Sequence, residues 1–284
     1  MRGVQPSSDA EQYYRLHLRD MIREMAKELY AVVTPELKRL KPQYTGDAYT
    51  TDSWVDDILK AIRGVAARWA GQAFEAQAAR TAMRTISMAE ADNAKQFDAD
   101  IKRAVGVDFN QIVQSRGLQN YLDASIADNV SLIKSVPTDY FQKVENIILE
   151  NMRKGFAPTE IAKQLQEHTG VSYRRAKLIA RDQMAKINSD LTRQRQKDAG
   201  IEFYRSRHAA DERVSGKPGG RYANAKISCW AIAERDIGYG KGVYKVEEGA
   251  TYAGESGLHP GRHHVNCRCV AIALIPGVNY FPKD

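Results

Sequence analysis

The sequence predicts an α+β protein, with a mostly helical N-terminal two thirds built of long helices and a small glycine-rich α+β C-terminal domain after it. Three observations carry that expectation. Apolar residues recur every third or fourth position as far as about residue 199, the period of one face of a helix. No proline interrupts the chain between Pro42 and Pro137. From Gly200 onward the texture changes, with glycine at 216, 219, 220, 238, 240, 242, 249, 254, 257 and 261 and short alternating runs between. The expected division is an N-terminal helix and linker (1–52), a helical body (53–199) and the C-terminal domain (200–284).

The first helix opens on Ser8-Asp-Ala-Glu11, the Ser-x-x-Glu form of a capping box. It carries Tyr14, Leu18, Met21, Met25, Leu29 and Val32 on one face, which predicts helix from about residue 9 to Val33. Pro35 disfavours helix at Thr34, and 41–51, with Pro42 and Gly46, reads as a linker. Ser53 to Asp56 suggests a second cap. Helix is then expected to about Val105, with Trp54, Ile58, Ile62, Val65 and Trp69 inward and Gly64 or Gly71 as its weak point. The tryptophans read as core anchors.

Residues 106–117 suggest a loop, and 118–134 helix again. Pro137 is expected to separate that helix from the next, which carries Tyr140, Val144, Ile147, Ile148 and Met152 and ends at Gly155. Pro158 opens a short helix, Thr159 to His168, closed by Gly170. Ser172 then caps a long one whose inner face is Tyr173, Ala176, Ala180, Met184, Ile187 and Leu191. Its other side holds Arg174, Arg175, Lys177, Arg181, Arg193 and Arg195, a surface suited to DNA phosphates or an acidic protein partner. In the last domain, strands are expected at 201–206, 242–246 and 269–275, the last of them central.

Composition sets bounds. A net charge of +7 and a pI near 9.2 are compatible with polyanion contact, which counterion release would make salt-dependent. The chain has no run of about 18 apolar residues and no signal-peptide core at its N-terminus, so the expectation is synthesis in the cytoplasm and no membrane partner.

The densest chemistry is His259-Pro-Gly-Arg-His-His-Val-Asn-Cys-Arg-Cys269, which holds half of the six histidines and two of the three cysteines. Imidazole and thiolate are the ligands Zn²⁺ prefers, four in a tetrahedron at a structural site. His264, Cys267 and Cys269 supply three, and Cys229 a distant fourth. Bound there, the metal would clip the loop before the last strand to the segment around Cys229. The plainer reading is a set of small buried thiols in a turn with exposed histidines. A disulfide ranks below both, since the cysteine number is odd and nothing marks the chain for secretion.

Catalytic readings find less support. A zinc hydrolase or nuclease could use His259, His263 and His264 with Asp211 or Glu212 as base, yet no helical His-Glu-x-x-His occurs. Residues 238–242 are glycine-rich and basic without the order of a phosphate loop. The pair of helices before residue 199 invites a helix-turn-helix reading. The second, at about 25 residues, is much longer than a recognition helix needs to be.

Three segments, in order, carry a resemblance. These are Arg175-Ala-Lys-Leu-Ile-Ala-Arg181, the strand Ile201-Glu-Phe-Tyr204 leading to Asp211-Glu-Arg-Val214, and His264-Val-Asn-Cys-Arg-Cys269 before an apolar strand. Together, over about residues 140 to 276, they resemble the phage Mu F-like head morphogenesis (minor head) proteins. Val265 stands where that family usually has proline, and no second cysteine pair follows Val214. The resemblance implies a non-enzymatic virion protein acting in capsid assembly at or near the portal vertex. The partners it implies are the portal protein, the major capsid or scaffold protein, and packaged double-stranded DNA without sequence specificity.

Overall fold

A computed structural model of the chain describes residues 1–40, 53–106, 116–154 and 157–281. The expected linker at 41–51, most of the loop at 106–117 and the cap at Gly155 lie outside them. Five long helices come first: α1 (Ser8–Leu40), α2 (Ser53–Arg68), α3 (Gln72–Val105), α4 (Arg116–Arg153) and α5 (Pro158–Asp198). Then follow β1 (Phe203–Arg207), α6 (Cys229–Glu234), β2 (Val243–Lys245), β3 (Ala250–Tyr252), β4 (Glu255–Leu258) and β5 (Val270–Leu274).

The helices outrun their expected limits. Pro35 and Pro137 lie inside α1 and α4. A proline there removes one intrahelical bond, a loss that packing of the flanking turns offsets: Val33, Leu37, Ile133 and Val136 are all buried. In α4, Ser135 and Thr138 also place hydroxyls on the carbonyls of Leu132 and Lys134, at 2.8 and 3.3 Å. The expected break at Gly170 is likewise absent. Thr169 Oγ1 donates to the Leu165 carbonyl at 3.0 Å and Ser172 Oγ to the His168 carbonyl at 3.1 Å, so Ser172 bonds back into the helix instead of capping a new one. Without that turn the helix-turn-helix reading loses its geometry. Of the two glycines flagged in the second helix, Gly71 sits at the break between α2 and α3, and Gly64 lies within α2.

Two units form, each from separated stretches, whereas the sequence reading cuts the chain contiguously at 52/53 and 199/200. One is Tyr13–Arg84 with Ile126–Ile179; the other is Met1–Gln12, Thr85–Ser125 and Ala180–Asp284. Helices of more than 30 residues are long enough to belong to both. Among the described residues the first unit has helices and no strand. Tyr14, Leu18, Ile22, Met25, Leu29, Ile58, Ile62, Val144 and Ile148 are buried there, and Tyr140 and Tyr30 both direct hydroxyls at Thr169.

The second unit carries the sheet. Its strand order is β2-β1-β5, antiparallel throughout, with Tyr204 opposite Tyr244 on one side and Ala273 on the other. The central strand is therefore β1, and the expectation that the last strand is central is corrected. The N-terminal segment lies against β5: a Cβ on Gly3, whose φ is +77°, would come within 3.0 Å of the Ala271 carbonyl. Asp100 holds that segment by accepting from the amides of Arg2 and Gly3, each at 3.0 Å, and Asn188 Nδ2 donates to the Val4 carbonyl at 3.0 Å. A separate hairpin, β3-β4, had no sequence counterpart. Val4, Phe97, Ile101, Tyr204, Ile232 and Tyr244 form the core beneath the sheet.

Candidate metal centre

Cys229, His263, Cys267 and Cys269 converge, all buried, with their donor atoms within 4.8 Å of one another. Two segments make the site. Cys229 opens α6, whose start is fixed by Ser228: its Oγ accepts from the Ala231 amide at 2.9 Å. The Cys229 amide in turn donates to Ser215 Oγ at 3.0 Å. Tyr244 Oη donates to the Ile232 carbonyl at 2.6 Å and so ties α6 to the sheet.

The other three donors come from the loop before β5, and that loop is held against α5. Gly261, at φ +91°, passes so close that a Cβ there would meet the Ala185 carbonyl at 2.7 Å. Arg262 pairs with Asp190, Nε to carboxylate at 2.7 and 2.8 Å. Asn266 takes a left-handed φ of 60°, which asparagine tolerates. Its amide donates to Asp182 Oδ1 at 2.7 Å, and its side chain accepts from Arg181 Nε at 3.0 Å. The turn then closes through Cys267 N to the His264 carbonyl at 3.1 Å.

The donor spacing fits a tetrahedral ion. Two thiolates each about 2.3 Å from one Zn²⁺ stand about 3.7 to 3.8 Å apart. Cys229 Sγ and Cys267 Sγ are 3.7 Å apart, and His263 Nδ1 lies 3.3 Å from Cys229 Sγ. Three crowded thiols cannot share negative charge without a cation, and their acidities split. Cys267 is lowered because Cys229 and Cys269 hydrogen-bond to it. Cys229 is pushed up to about 12 by its bond to Cys267, and Cys269 is raised by Cys229 and Cys267. A metal ion would hold all three deprotonated.

His264, expected as a ligand, is not in the quartet; His263 is. The difference has a local cause. Both rings approach Cys229 Sγ, and His263 does so from the buried side, 3% exposed. His264 sits at the rim: Nε2 lies 3.0 Å from Ser215 Oγ and 3.1 Å from Cys229 Sγ, and Nδ1 lies 2.8 Å from the Val265 carbonyl. His259 is buried elsewhere, its ring 5.7 Å from that of Tyr204, and burial lowers its pKa to about 4. Asp211, weighed as a base, is held by Arg268 Nη1 and Nη2 at 2.6 Å each, which keeps its carboxyl well below the ordinary range.

The basic face of α5 does not stay together. Arg195 is buried, donating to Asn93 Oδ1 at 3.0 Å and pairing with Glu90 at 2.5 Å. Arg193 donates to the carbonyls of Val246 and Glu247 at 3.2 and 2.9 Å. Arg181 is spent on Asn266, and Arg175 pairs with Asp139 at 2.5 Å. Arg174, Arg175 and Lys177 are exposed. Sequence reasoning missed Ser215, which braces both Cys229 and His264, and α6 itself. The Ser228-Cys229 pair at a cap was the signal for α6. No helix among the described residues is long and apolar enough to cross a membrane.

Residues 142–272 match the family described as Phage Mu protein F like protein. An uncharacterised protein of Haemophilus influenzae is 27% identical over the whole of this chain, which spans 57% of that relative's length. No solved structure matches. The matched residues 142–272, which hold all four members of the cysteine and histidine quartet, are similar to the phage Mu protein F-like family.

Proposed function

We propose that this chain is a non-enzymatic head protein of a phage or phage-derived particle, whose Cys229–His263–Cys267–Cys269 cluster is a structural zinc site. In this reading the protein resides in the virion, at the capsid interior or portal vertex, and its partners are the portal and the major capsid or scaffold protein. The observation that carries it is the closed donor set. Four buried protein donors lie within 4.8 Å of one another, and four protein ligands are the number a structural zinc site takes. When bound, zinc would fasten the loop before β5 to the start of α6, two segments joined otherwise by hydrogen bonds through Ser215.

A nuclease or hydrolase reading has less support, because Asp211 is locked to Arg268 and Glu212 is exposed in the same loop. Two measurements on the full chain test the proposal. Protein purified without chelator is expected to hold about one zinc per chain, and Cys267→Ser to hold none. Co-expressed with portal and capsid proteins, the chain is expected to sediment with the assembled particle. A metal-free wild-type protein overturns the zinc site. Failure to sediment with either partner overturns the head assignment.

A further inference from the structure

Within the unit that carries the sheet, a cleft of about 1060 Å³ opens between the N-terminal segment, the last turns of α3 and the loop after β1. Five cationic side chains line it: Arg2, Lys95, Arg103, Arg207 and Arg268. Its carboxylates are Asp92 and Asp100, and both are engaged. Asp100 accepts two backbone amides and pairs with Arg103 at 3.4 Å, and Asp92 accepts from Gln96 at 3.2 Å. Arg268 belongs to Asp211. Arg2, Lys95 and Arg207 are exposed and have no ion pair among the described residues.

We propose that this cleft is a docking site for the phosphodiester backbone of nucleic acid, with Arg2, Lys95 and Arg207 as its phosphate-binding cations. Three features select that ligand. The cations come from three distant stretches of sequence and spread around a wide opening, as binding of a polymer requires. A small phosphate would need converging N–H donors, and the amides of Arg2, Gly3, Gln5 and Ala210 in the lining are already donated to Asp100, Gln96 and His208 side chains. A protein partner would need apolar anchors. None of the exposed large hydrophobic residues, such as Val265 or Phe281, lines the cleft. The site also replaces α5 as the nucleic-acid surface, since Arg181, Arg193 and Arg195 are committed to internal partners. It does not depend on the head assignment.

The test uses the full chain and a fluorescent duplex of random sequence, titrated at about 50 and about 200 mM salt. Changing Arg2, Lys95 and Arg207 together to Gln is expected to weaken binding about tenfold or more at the lower salt, and to reduce the logarithmic salt slope by about 0.9 for each phosphate no longer neutralised. Arg174→Gln, Arg175→Gln and Lys177→Gln together are the control, with a change of less than about twofold expected. Thermal unfolding verifies the fold; should the triple variant not fold, Lys95→Gln and Arg207→Gln are titrated singly, each expected to lose about one unit of slope. The inference is overturned if wild type does not bind the duplex, or if the cleft variant binds as wild type does. Displacement by inorganic pyrophosphate would make it a small-phosphate site, and displacement by poly-glutamate an acidic-protein site; either also overturns it. Sedimentation with capsid proteins reads the head assignment separately.

Discussion

Arg268 grips Asp211 with both terminal nitrogens of its guanidinium, at 2.6 Å each, and thereby joins the middle of the Cys-Arg-Cys turn to the loop after the central strand. A parallel link, Arg181 to Asn266, joins the same turn to α5. The three sequence segments that carry the family resemblance therefore meet at one place.

The Arg268–Asp211 pair makes a pH prediction. Arg268 holds the Asp211 carboxyl below its ordinary value, so the folded state binds the ionised form better than the unfolded chain does. Such a group contributes fully above the unfolded pKa of about 3.9 and loses its contribution as pH falls toward the folded value. Asp211→Asn is expected to lower the melting temperature at neutral pH, and its gap from wild type to narrow steadily below about pH 4. Melting curves from pH 7 to pH 2.5, about the range over which a carboxylate protonates, read both effects.

The sequence made the helical faces legible because a buried stripe of period 3.6 survives local interruptions: Tyr14, Leu18, Met25 and Leu29 point inward as expected. It overstated the interruptions. Pro35, Pro137 and Gly170 are local penalties of a few kcal/mol at most, and tertiary packing outweighs them. At the candidate metal centre, the clustering of the three cysteines was legible and the choice between two adjacent histidines was not. That choice depends on the rotation of one turn, set by the left-handed Asn266 and its hold on Asp182, a residue 84 positions away. The charged face of α5 misled for a related reason: helical spacing shows which residues share a side, and not that Arg195 meets Glu90 from α3.

Gly216 has a structural duty that Gly219 lacks. Its φ is +71°, and a Cβ there would overlap Ser228 Oγ, the cap of α6. Gly216→Ala must both strain the backbone and displace the cap that places Cys229. A loss of about 2 kcal/mol or more in unfolding free energy is expected, together with weaker zinc retention. Gly219→Ala, also at positive φ but with open space around it, should leave zinc retention unchanged. Denaturant titration and zinc content of both variants measure the difference.

Arg195 separates a surface role from a buried one. With its side chain 7% exposed and paired to Glu90 and Asn93, removal of its charge strands Glu90 in a partly desolvated place. Arg195→Gln is expected to cost about 2 to 3 kcal/mol of stability, somewhat below the range for a fully buried pair because Glu90 is 29% exposed. Duplex affinity of the folded variant should match wild type. A variant of normal stability with weakened DNA binding would restore Arg195 to the surface role its helical position suggested.

His263 and His264 provide the sharpest test of the metal centre, since they are neighbours in sequence and differ only in which way the turn points them. His263 Nδ1 faces the thiols from a buried position. His264 Nε2 reaches Cys229 Sγ but also Ser215 Oγ, and its other nitrogen is taken up by the Val265 carbonyl. As a ligand, His263 would contribute a coordination bond; as a neighbour, His264 orients Ser215, whose Oγ accepts the Cys229 amide. Loss of an outer partner commonly weakens metal affinity about 10- to 100-fold, and loss of a ligand costs more. His264→Gln should therefore keep about one zinc per chain through gel filtration and release it to a chelator at lower concentration than wild type does. His263→Gln should emerge from the column depleted of zinc. The reverse order, with zinc surviving in His263→Gln and gone from His264→Gln, would mean that the turn rotates on binding and that His264 is the fourth ligand.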